Sequence, residues 1–172
     1  MPRIAYADPD APELKPLVER IVAERGHVLD LYRMLLHSPP VAEGWRALMT
    51  AVRQQTSLRG RLRELIIIRI AHLNGASYEA GQHIPIALGE GATQAQVDAL
   101  ADWHAARELF GAEEQAALAL ADRMTRDIRV DEATWAAVRA IWSEREIVEL
   151  VATIASYSMV SRFLEALEIH AE

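Results

Sequence analysis

The chain of 172 residues contains no cysteine. This absence excludes disulfide bonds, a thiolate nucleophile, CxxC redox chemistry and zinc sites built on sulfur. Lysine occurs only at Lys15, in the predicted first helix and away from the motif described below. Because the sequence also has no glycine-rich phosphate loop and no candidate Schiff-base lysine, we expect the protein to work without an organic cofactor.

Positive charge and long hydrophobic runs are also scarce. The chain has 18 basic and 25 acidic residues, a formal net charge of -7, so nucleic acid is not an expected partner. The uncharged stretch Leu150–Ser161 is far shorter than the roughly 20 apolar residues of a membrane span, which predicts a buried core helix and no membrane partner. The N-terminal residues lack the apolar segment of a signal peptide, and we expect a cytoplasmic location.

The pattern that is present is helical. Alternating apolar and polar residues bounded by hairpin turns are not found, whereas alanine and leucine recur at helical spacing. The sequence therefore predicts an all-α fold of seven to eight helices in one domain over residues 13–172, after an irregular arm over 1–12. The expected boundary residues are Gly26 and Asn74-Gly75 at helix ends, and Ser77, Thr93 with Gln96, Asp131, and Ser143 with Glu146 at helix starts.

Candidate chemistry is concentrated between Glu64 and His83, in the stretch ELIIIRIAHLNGASYEAGQH. Glu79 and His83 are four residues apart, so they lie on the same helix face, and Glu64 can approach from the preceding helix. A carboxylate near an imidazole favours its charged form, whereas a carboxyl group in apolar surroundings keeps its proton. Groups separated in this way are suited to proton transfer.

This stretch resembles the carboxymuconolactone decarboxylase family, which includes the AhpD-like alkyl hydroperoxidases. The peroxidase branch has a glutamate, eleven residues, a cysteine, two residues, a second cysteine, three residues and a histidine. Glu64 and His83 fall on the family's glutamate and histidine, and the cysteine places hold Ala76 and Glu79. The decarboxylase branch typically has a glutamate at the second cysteine place. The segments LYRMLLHSPP and MVSRFLEALEI also resemble flanking regions of longer members, so the likeness covers the chain from about Arg25 onward.

The resemblance implies an all-helical AhpD-like fold with the active site at the start of the helix that begins near Tyr78. It also implies a homo-oligomer, as a trimer, hexamer or dimer, and an enzyme of the decarboxylase (lyase) type. Thiol peroxidase activity is not expected, because the chain has no thiol to attack a peroxide.

Each candidate also has a purely structural explanation. An acidic residue such as Glu79 is favoured in the first turn of a helix by the helix dipole, and His83 could be a hydrogen-bonded structural histidine. Glu64 could simply pair with Arg61 or Arg69. Alternatively, Arg69 could hold a substrate carboxylate bidentately.

Further polar residues stand close to the motif or in the last helix. Tyr78 and Gln82 are candidate substrate contacts, although either could instead face a neighbouring subunit. Tyr157 and Ser158 could line a cavity or simply pack against another helix. Glu64, Glu79 and His83 also make a conceivable metal-ligand set. Because no further histidine has a matching spacing, we predict no metal site.

Two hypotheses for the function follow. In the first, the protein is a cofactor-independent decarboxylase-like enzyme that acts on a small carboxylated lactone or related organic acid. His83, made more basic by Glu79, would deliver or remove a proton at carbon, and Glu64 would complete the relay. In the second, the protein is a non-catalytic ligand-binding oligomer that keeps the fold, as Ala76 at the first cysteine place would permit.

Overall fold

A computed structural model describes residues 1–169, so the last three residues of the domain predicted over 13–172 lie outside the described part. Helices account for its regular structure, and no strand occurs over residues 1–169. The prediction of an all-α fold is confirmed. Residues 1–169 contain nine α-helices, one or two more than predicted: α1 (Lys15–Arg25), α2 (Asp30–Leu35), α3 (Pro39–Thr50), α4 (Gly60–Asn74), α5 (Ser77–Gly89), α6 (Gln94–Ala99), α7 (Ala112–Arg126), α8 (Glu132–Arg139) and α9 (Glu144–Leu167).

The described chain forms two compact units, residues 1–56 with 166–169 and residues 57–165. In the first unit α3 continues into a π-helical turn, Ala51–Gln55, and helices α1 to α3 bury an apolar core. The N-terminal arm has hydrogen bonds within this unit: the Arg3 amide donates to the Leu167 carbonyl at 3.0 Å, and the His37 ring contacts the Ala5 carbonyl at 2.7 Å. The first helix begins only at Lys15.

The second unit is built around α4. The residues Leu65, Ile66, Ile67, Ile68 and Ile70 are fully buried. A helix that is apolar on all sides belongs in the interior, as predicted for this segment. Its core continues through Leu100, Trp103 and Leu118, which lie in the 3₁₀-helical segment Leu100–Leu109 and in α7.

The turn between α4 and α5 folds the stretch from Glu64 to His83 into a tight hairpin of two helices. Gly75 has a φ of 71°, in the left-handed region that glycine adopts without a steric penalty, and it ends α4 as predicted. The prediction that Ser77 caps α5 is wrong. Ala76 is the residue before the helix, Ser77 is its first residue, and no side chain caps this end.

The other predicted helix boundaries agree better with the structure. Gly26 ends α1 with a φ of 82°. Thr93 and Gln96 form the predicted capping box, and the Asp131 carboxylate accepts from the Thr134 amide at 2.9 Å. At the start of α9 the Ser143 amide donates to Glu146 at 2.9 Å. These local side-chain contacts could be predicted because they depend only on residues three apart.

Arg69 ties three elements of this unit together. Its Nε donates to Asp122 Oδ1 at 2.6 Å and its Nη2 to Asp122 Oδ2 at 2.9 Å, which joins α4 to α7. Its Nη1 donates to the carbonyls of Leu100 and Ala101, both at 2.8 Å. The Trp103 indole N–H also donates to Asp122, at 3.3 Å. The buried charge is therefore both paired and hydrogen-bonded, as its 2% exposure requires.

Among residues 1–169, α9 alone is long and apolar enough to cross a bilayer by length and composition, and half of its most apolar window is buried inside the protein. Its buried residues include Leu150, Ile154, Tyr157, Ser158 and Ser161. Two of them, Tyr157 and Ser161, contact residues of α5 in the second unit.

Candidate functional site

The central contact of the candidate site joins α4 to α5. His83 Nδ1 lies 2.5 Å from Glu64 Oε2, and Glu64 is fully buried. Because an ionised carboxylate can only accept, Nδ1 carries the proton in this hydrogen bond. The carboxylate therefore fixes the ring orientation and the tautomer, and it stabilises the imidazolium that forms if the ring gains a second proton.

Arg63 neutralises the same carboxylate from its other side. Its Nε donates to Glu64 Oε1 at 3.0 Å, and only 11% of the arginine side chain is exposed. A positive charge at this distance favours the ionised form of Glu64. With Arg63 on one oxygen and His83 on the other, Glu64 is a carboxylate held between two donors.

Helix α9 closes over the imidazole. The ring of Tyr157 meets the ring of His83 edge to face, with centroids 5.2 Å apart and an interplanar angle of 88°. Such a T-shaped contact between rings adds packing energy and restricts the position of both. Tyr157, for which the sequence left cavity lining and helix packing as alternatives, thus contacts His83 directly.

Glu79 lies one turn before His83 on α5 and is 2% exposed. Its Oε2 forms a short hydrogen bond with the Ser161 hydroxyl of α9. Its Oε1 is buried and has no hydrogen-bond partner among the described residues. An unpartnered oxygen at such burial is costly for a carboxylate and much less so for a neutral acid.

Burial raises the pKa of Glu79 from 4.5 to about 8. The hydrogen bond between Glu79 and Ser161 opposes this rise, and the nearby Glu165 carboxylate adds to it. Desolvation is the largest cause, since a charged carboxylate loses its hydration when it is buried without a cation. The site therefore combines a carboxylate that is paired with Arg63 and a carboxyl group whose pKa is raised by burial.

The structure corrects the predicted arrangement of these groups. Glu79 and His83 do share a helix, but they do not form the predicted pair. His83 bonds to Glu64, and the hydrogen bond of Glu79 goes to Ser161. A spacing of four residues places two side chains on one face without deciding which neighbouring helix each one meets.

The three predicted substrate contacts lie in different surroundings in the structure. Arg69 is neither the partner of Glu64 nor placed to hold a substrate carboxylate, because its guanidinium is occupied by Asp122 and two carbonyls. Tyr78 is buried at the start of α5, close in sequence to Glu79. Gln82 is exposed beside His83.

Sequence reasoning missed three residues that the structure brings into the polar networks. Arg63 is adjacent to Glu64 in the sequence, and helix spacing rules, which pair residues three or four apart, do not predict a contact between neighbours. Nothing in the sequence marked Ser161 as a site residue except its position at the end of the uncharged stretch Leu150–Ser161. Asp122 directly follows the apolar run Ala116–Ala121 of α7, and a charge in such a position usually has a buried partner.

Glu64, Glu79 and His83 were the residues that the sequence offered as a conceivable metal-ligand set. Over residues 1–169 no three histidine, aspartate or glutamate side chains are grouped as metal ligands. Glu64 is directed to His83 and Arg63, and Glu79 to Ser161. In chemical terms the arrangement consists of an imidazole hydrogen-bonded to a carboxylate and, one turn before it on α5, a buried carboxyl group.

The fold is that of the AhpD-like proteins. The chain superposes on the debrominase Bmp8, solved as a cysteine-to-alanine variant in complex with 2,3,4-tribromopyrrole, with a TM-score of 0.83, 20% identity, and coverage of 99% of this chain and 91% of that one. An AhpD-core, peroxidase-related protein from Ralstonia eutropha JMP134 gives a TM-score of 0.82 at 17% identity, covering 99% and 92% of the two chains. A peroxidase-related protein from Silicibacter sp. TM1040 gives 0.81 at 18%, covering 96% and 88%.

The sequence places the chain more narrowly. The carboxymuconolactone decarboxylase family matches residues 39–123, which include Glu64, Glu79 and His83. The uncharacterized protein YdfG of Bacillus subtilis (strain 168) is 30% identical over 116 residues, covering 65% of this chain and 78% of the relative. The chain belongs to the carboxymuconolactone decarboxylase family and has an AhpD-like fold.

Proposed function

We propose that the protein is a cofactor-independent enzyme of the decarboxylase (lyase) type that acts on a small carboxylated lactone or a related organic acid. The observation that carries this proposal is the buried His83–Glu64 hydrogen bond of 2.5 Å, with Arg63 on the other carboxylate oxygen. A histidine held in this way by a carboxylate is the common arrangement of a general acid or base.

The chemistry assigned to His83 follows from its tautomer. Because Nδ1 donates to Glu64, the ring exchanges protons with a substrate through Nε2. In a decarboxylation the bond between carbon and the leaving carboxylate breaks, carbon dioxide departs, and the electron pair stays on carbon. Protonated His83 then delivers a proton from Nε2 to that carbon, while Glu64 stabilises the imidazolium beforehand.

Two of the predicted substrate contacts are retained in this proposal. Tyr78 is buried and directly precedes Glu79 in the sequence of α5. Gln82 is exposed and directly precedes His83 on the same helix. A molecule bound beside His83 would meet Gln82 at its outer end. Arg69 is not included, because Asp122 occupies its guanidinium.

Relatives support a small organic substrate without fixing which one. The family name refers to a lactone decarboxylase, and one structural neighbour is a debrominase in complex with a bromopyrrole. Other neighbours are described as peroxidase-related. A thiol peroxidase mechanism requires a cysteine, which this sequence does not contain.

The alternative function is ligand binding without catalysis. One observation favours it: Ala76, at the first cysteine place of the motif, is fully buried and offers no reactive group. Measured turnover separates the two functions, because a binding protein would be stabilised by its ligand without converting it. We further propose a homo-oligomer, as a trimer, hexamer or dimer, and a cytoplasmic location; light scattering on the purified protein measures the subunit number.

The test of the proposed function combines binding with turnover. The wild-type protein and His83→Asn are screened by thermal shift against lactones, keto acids and products of aromatic ring cleavage. Release of carbon dioxide is measured for each compound that binds. His27→Asn is the matched control, because His27 is exposed in the segment after α1.

We expect a carboxylated compound to stabilise and be turned over by the wild-type and control proteins, with turnover lost in His83→Asn. Equal turnover in His83→Asn would contradict the assigned role of His83. Stabilisation without turnover in any of the proteins would favour the binding function.

A further inference from the structure

The hydrogen bonds around Ser161 are too many for the proton that its hydroxyl carries. Ser161 is fully buried, and its Oγ lies 3.0 Å from the Tyr157 carbonyl and within a short hydrogen bond of Glu79 Oε2. A serine hydroxyl has one proton to donate and two lone pairs with which to accept. Its single proton can point directly at only one of these two neighbours, so a full hydrogen bond in the other contact needs a proton from elsewhere.

The Tyr157 carbonyl has no proton to give, whereas Glu79 can have one. If the hydroxyl donates to the carbonyl, Oγ accepts a proton from Glu79 Oε2, and both contacts are satisfied. If Glu79 were ionised, the hydroxyl would have to turn to Oε2. The carboxylate would then be buried with a single donor, and Oε1 would carry charge without any partner among the described residues.

The charged groups nearby favour the same assignment. Glu165 follows Ser161 by one turn on α9 and is a second carboxylate close enough to disfavour a charge on Glu79. On α5, His83 is bound to Glu64, and on α4 the guanidinium of Arg63 is bound to Glu64 as well. The hydrogen bond of Glu79 goes to a neutral hydroxyl rather than to any of these cations.

We infer that Glu79 is a neutral carboxylic acid that donates a hydrogen bond from Oε2 to Ser161 Oγ. Its remaining oxygen, Oε1, accepts a hydrogen bond from an N–H or O–H group of the bound molecule. Ser161 is then a positioning residue, and Glu79 selects ligands with a donor at this point. The assignment of the proton stands on the geometry alone. The part about the bound molecule rests on the proposed function, since it needs a ligand beside His83.

This arrangement also separates the roles of the two glutamates. A proton that leaves Glu79 toward Ser161 can go no further, because the serine hydroxyl ends at a peptide carbonyl, which is a very weak base. The hydrogen-bond chain therefore orients Glu79 without offering it a path for proton exchange. Proton transfer stays with His83 and Glu64, and Glu79 contributes a neutral acceptor.

The substitution Glu79→Gln tests the inference, because an amide reproduces a neutral acid. Its N–H₂ group can donate to Ser161 Oγ, and its oxygen can take the place of Oε1 as an acceptor. Glu79→Ala removes both functions. Glu108→Gln is the matched control for the loss of a carboxylate, since Glu108 is exposed.

The first measurement needs no ligand. Infrared difference spectra between the wild-type protein and Glu79→Gln at neutral pH are expected to contain the C=O stretching band of a protonated carboxylic acid, which is absent from the Glu108→Gln difference. Ser161→Ala is expected to shift this band, because the acid loses its acceptor. A carboxylate band in place of the acid band would overturn the inference, whatever the outcome of the activity assays.

The second measurement uses a compound found in the lactone and organic-acid screen. Glu79→Gln is expected to bind and turn over the compound within about fivefold of the wild-type protein, and Glu79→Ala is expected to lose at least tenfold in affinity. Analogues in which the N–H or O–H donor is replaced by a methyl group should lose their preference for the wild-type protein over Glu79→Ala. A Glu79→Gln variant as inactive as His83→Asn would overturn the assigned role of Glu79.

Discussion

His83 and Glu64, 19 residues apart in the sequence, form a hydrogen bond of 2.5 Å in the interior of the second unit. The tight turn at Gly75 connects α4 and α5, the two helices that carry these residues. The hydrogen bond fixes the tautomer of the imidazole and places a carboxylate beside it. Arg63 donates to the other oxygen of the same carboxylate. The three residues make one ionic network, so removing any of them should alter the other two.

Replacing Glu64 should therefore affect catalysis more than folding if the shape of the side chain is kept. In Glu64→Gln the amide can still contact Arg63 or His83, but it no longer stabilises an imidazolium, and its N–H₂ group can force the wrong tautomer. We expect turnover to fall by about 10² to 10⁴-fold, the usual contribution of a general acid or base. Steady-state kinetics with the compound from the ligand screen measure this loss.

Glu64→Ala is the destabilising comparison. It leaves the imidazole and the guanidinium of Arg63 in a buried site without their common partner, and breaking a buried ion pair in this way costs about 3–5 kcal/mol. Urea unfolding should detect this difference from Glu64→Gln. If Glu64→Gln retains full turnover, the carboxylate is not needed for catalysis and His83 is positioned by other contacts.

The protonation of Glu79 predicts how stability depends on pH. Its pKa is about 8 in the folded protein, against 4.5 without these surroundings. The folded state therefore binds the proton more tightly than the unfolded state. Its contribution to the free energy of unfolding is complete below pH 4.5 and is lost as the pH rises toward and beyond 8.

The loss over this window is on the order of 5 kcal/mol by the linkage of pKa and stability. Urea unfolding at a series of pH values measures it, and the difference between the wild-type protein and Glu79→Gln isolates it from other titrating groups. The wild-type curve should fall more steeply with rising pH than that of the variant. Parallel curves would show that Glu79 has similar pKa values in the two states.

Arg69 should prove to be a structural residue. Arg69→Lys keeps the charge but cannot make the two parallel contacts with Asp122 and also reach the Leu100 and Ala101 carbonyls. We expect a lower free energy of unfolding, by about 3 kcal/mol, since a buried pair with imperfect geometry is strongly unfavourable.

The Michaelis constant for a carboxylated compound should stay close to the wild-type value in Arg69→Lys at a temperature where both proteins are folded. Arg123→Lys is the control, because Arg123 forms its ion pairs at the surface. A large rise in the Michaelis constant for Arg69→Lys with unchanged stability would restore the predicted role of Arg69 in substrate binding.

The sequence predicted those features that depend on local patterns. Helix α4 was expected to be central because its middle is apolar on every side, and Gly75 was expected to end it. Glu64 and His83 were selected by the family spacing. The partners of these residues were harder to predict, because each comes from packing between helices. Ser161 lies 82 residues from Glu79, and no spacing rule connects them.

The turn at Gly75 offers a test of how the fold positions the site. Its φ of 71° is strained for any residue with a Cβ, although an added Cβ would meet no atom within 4 Å. Gly75→Ala should therefore destabilise the protein by about 1 kcal/mol through backbone strain alone, and Gly75→Asn should cost less, because asparagine tolerates the left-handed region better. Thermal and urea unfolding measure both.

If the turn also sets the register of α5 against α4, Gly75→Ala should reduce turnover by more than its loss of stability explains, because His83 would shift relative to Glu64. Turnover is measured well below the unfolding temperature of each variant, with Gly44→Ala as the control at a helical glycine that has open space around it. Full turnover in a destabilised Gly75→Ala would mean that packing between the helices, rather than the turn, holds His83 against Glu64.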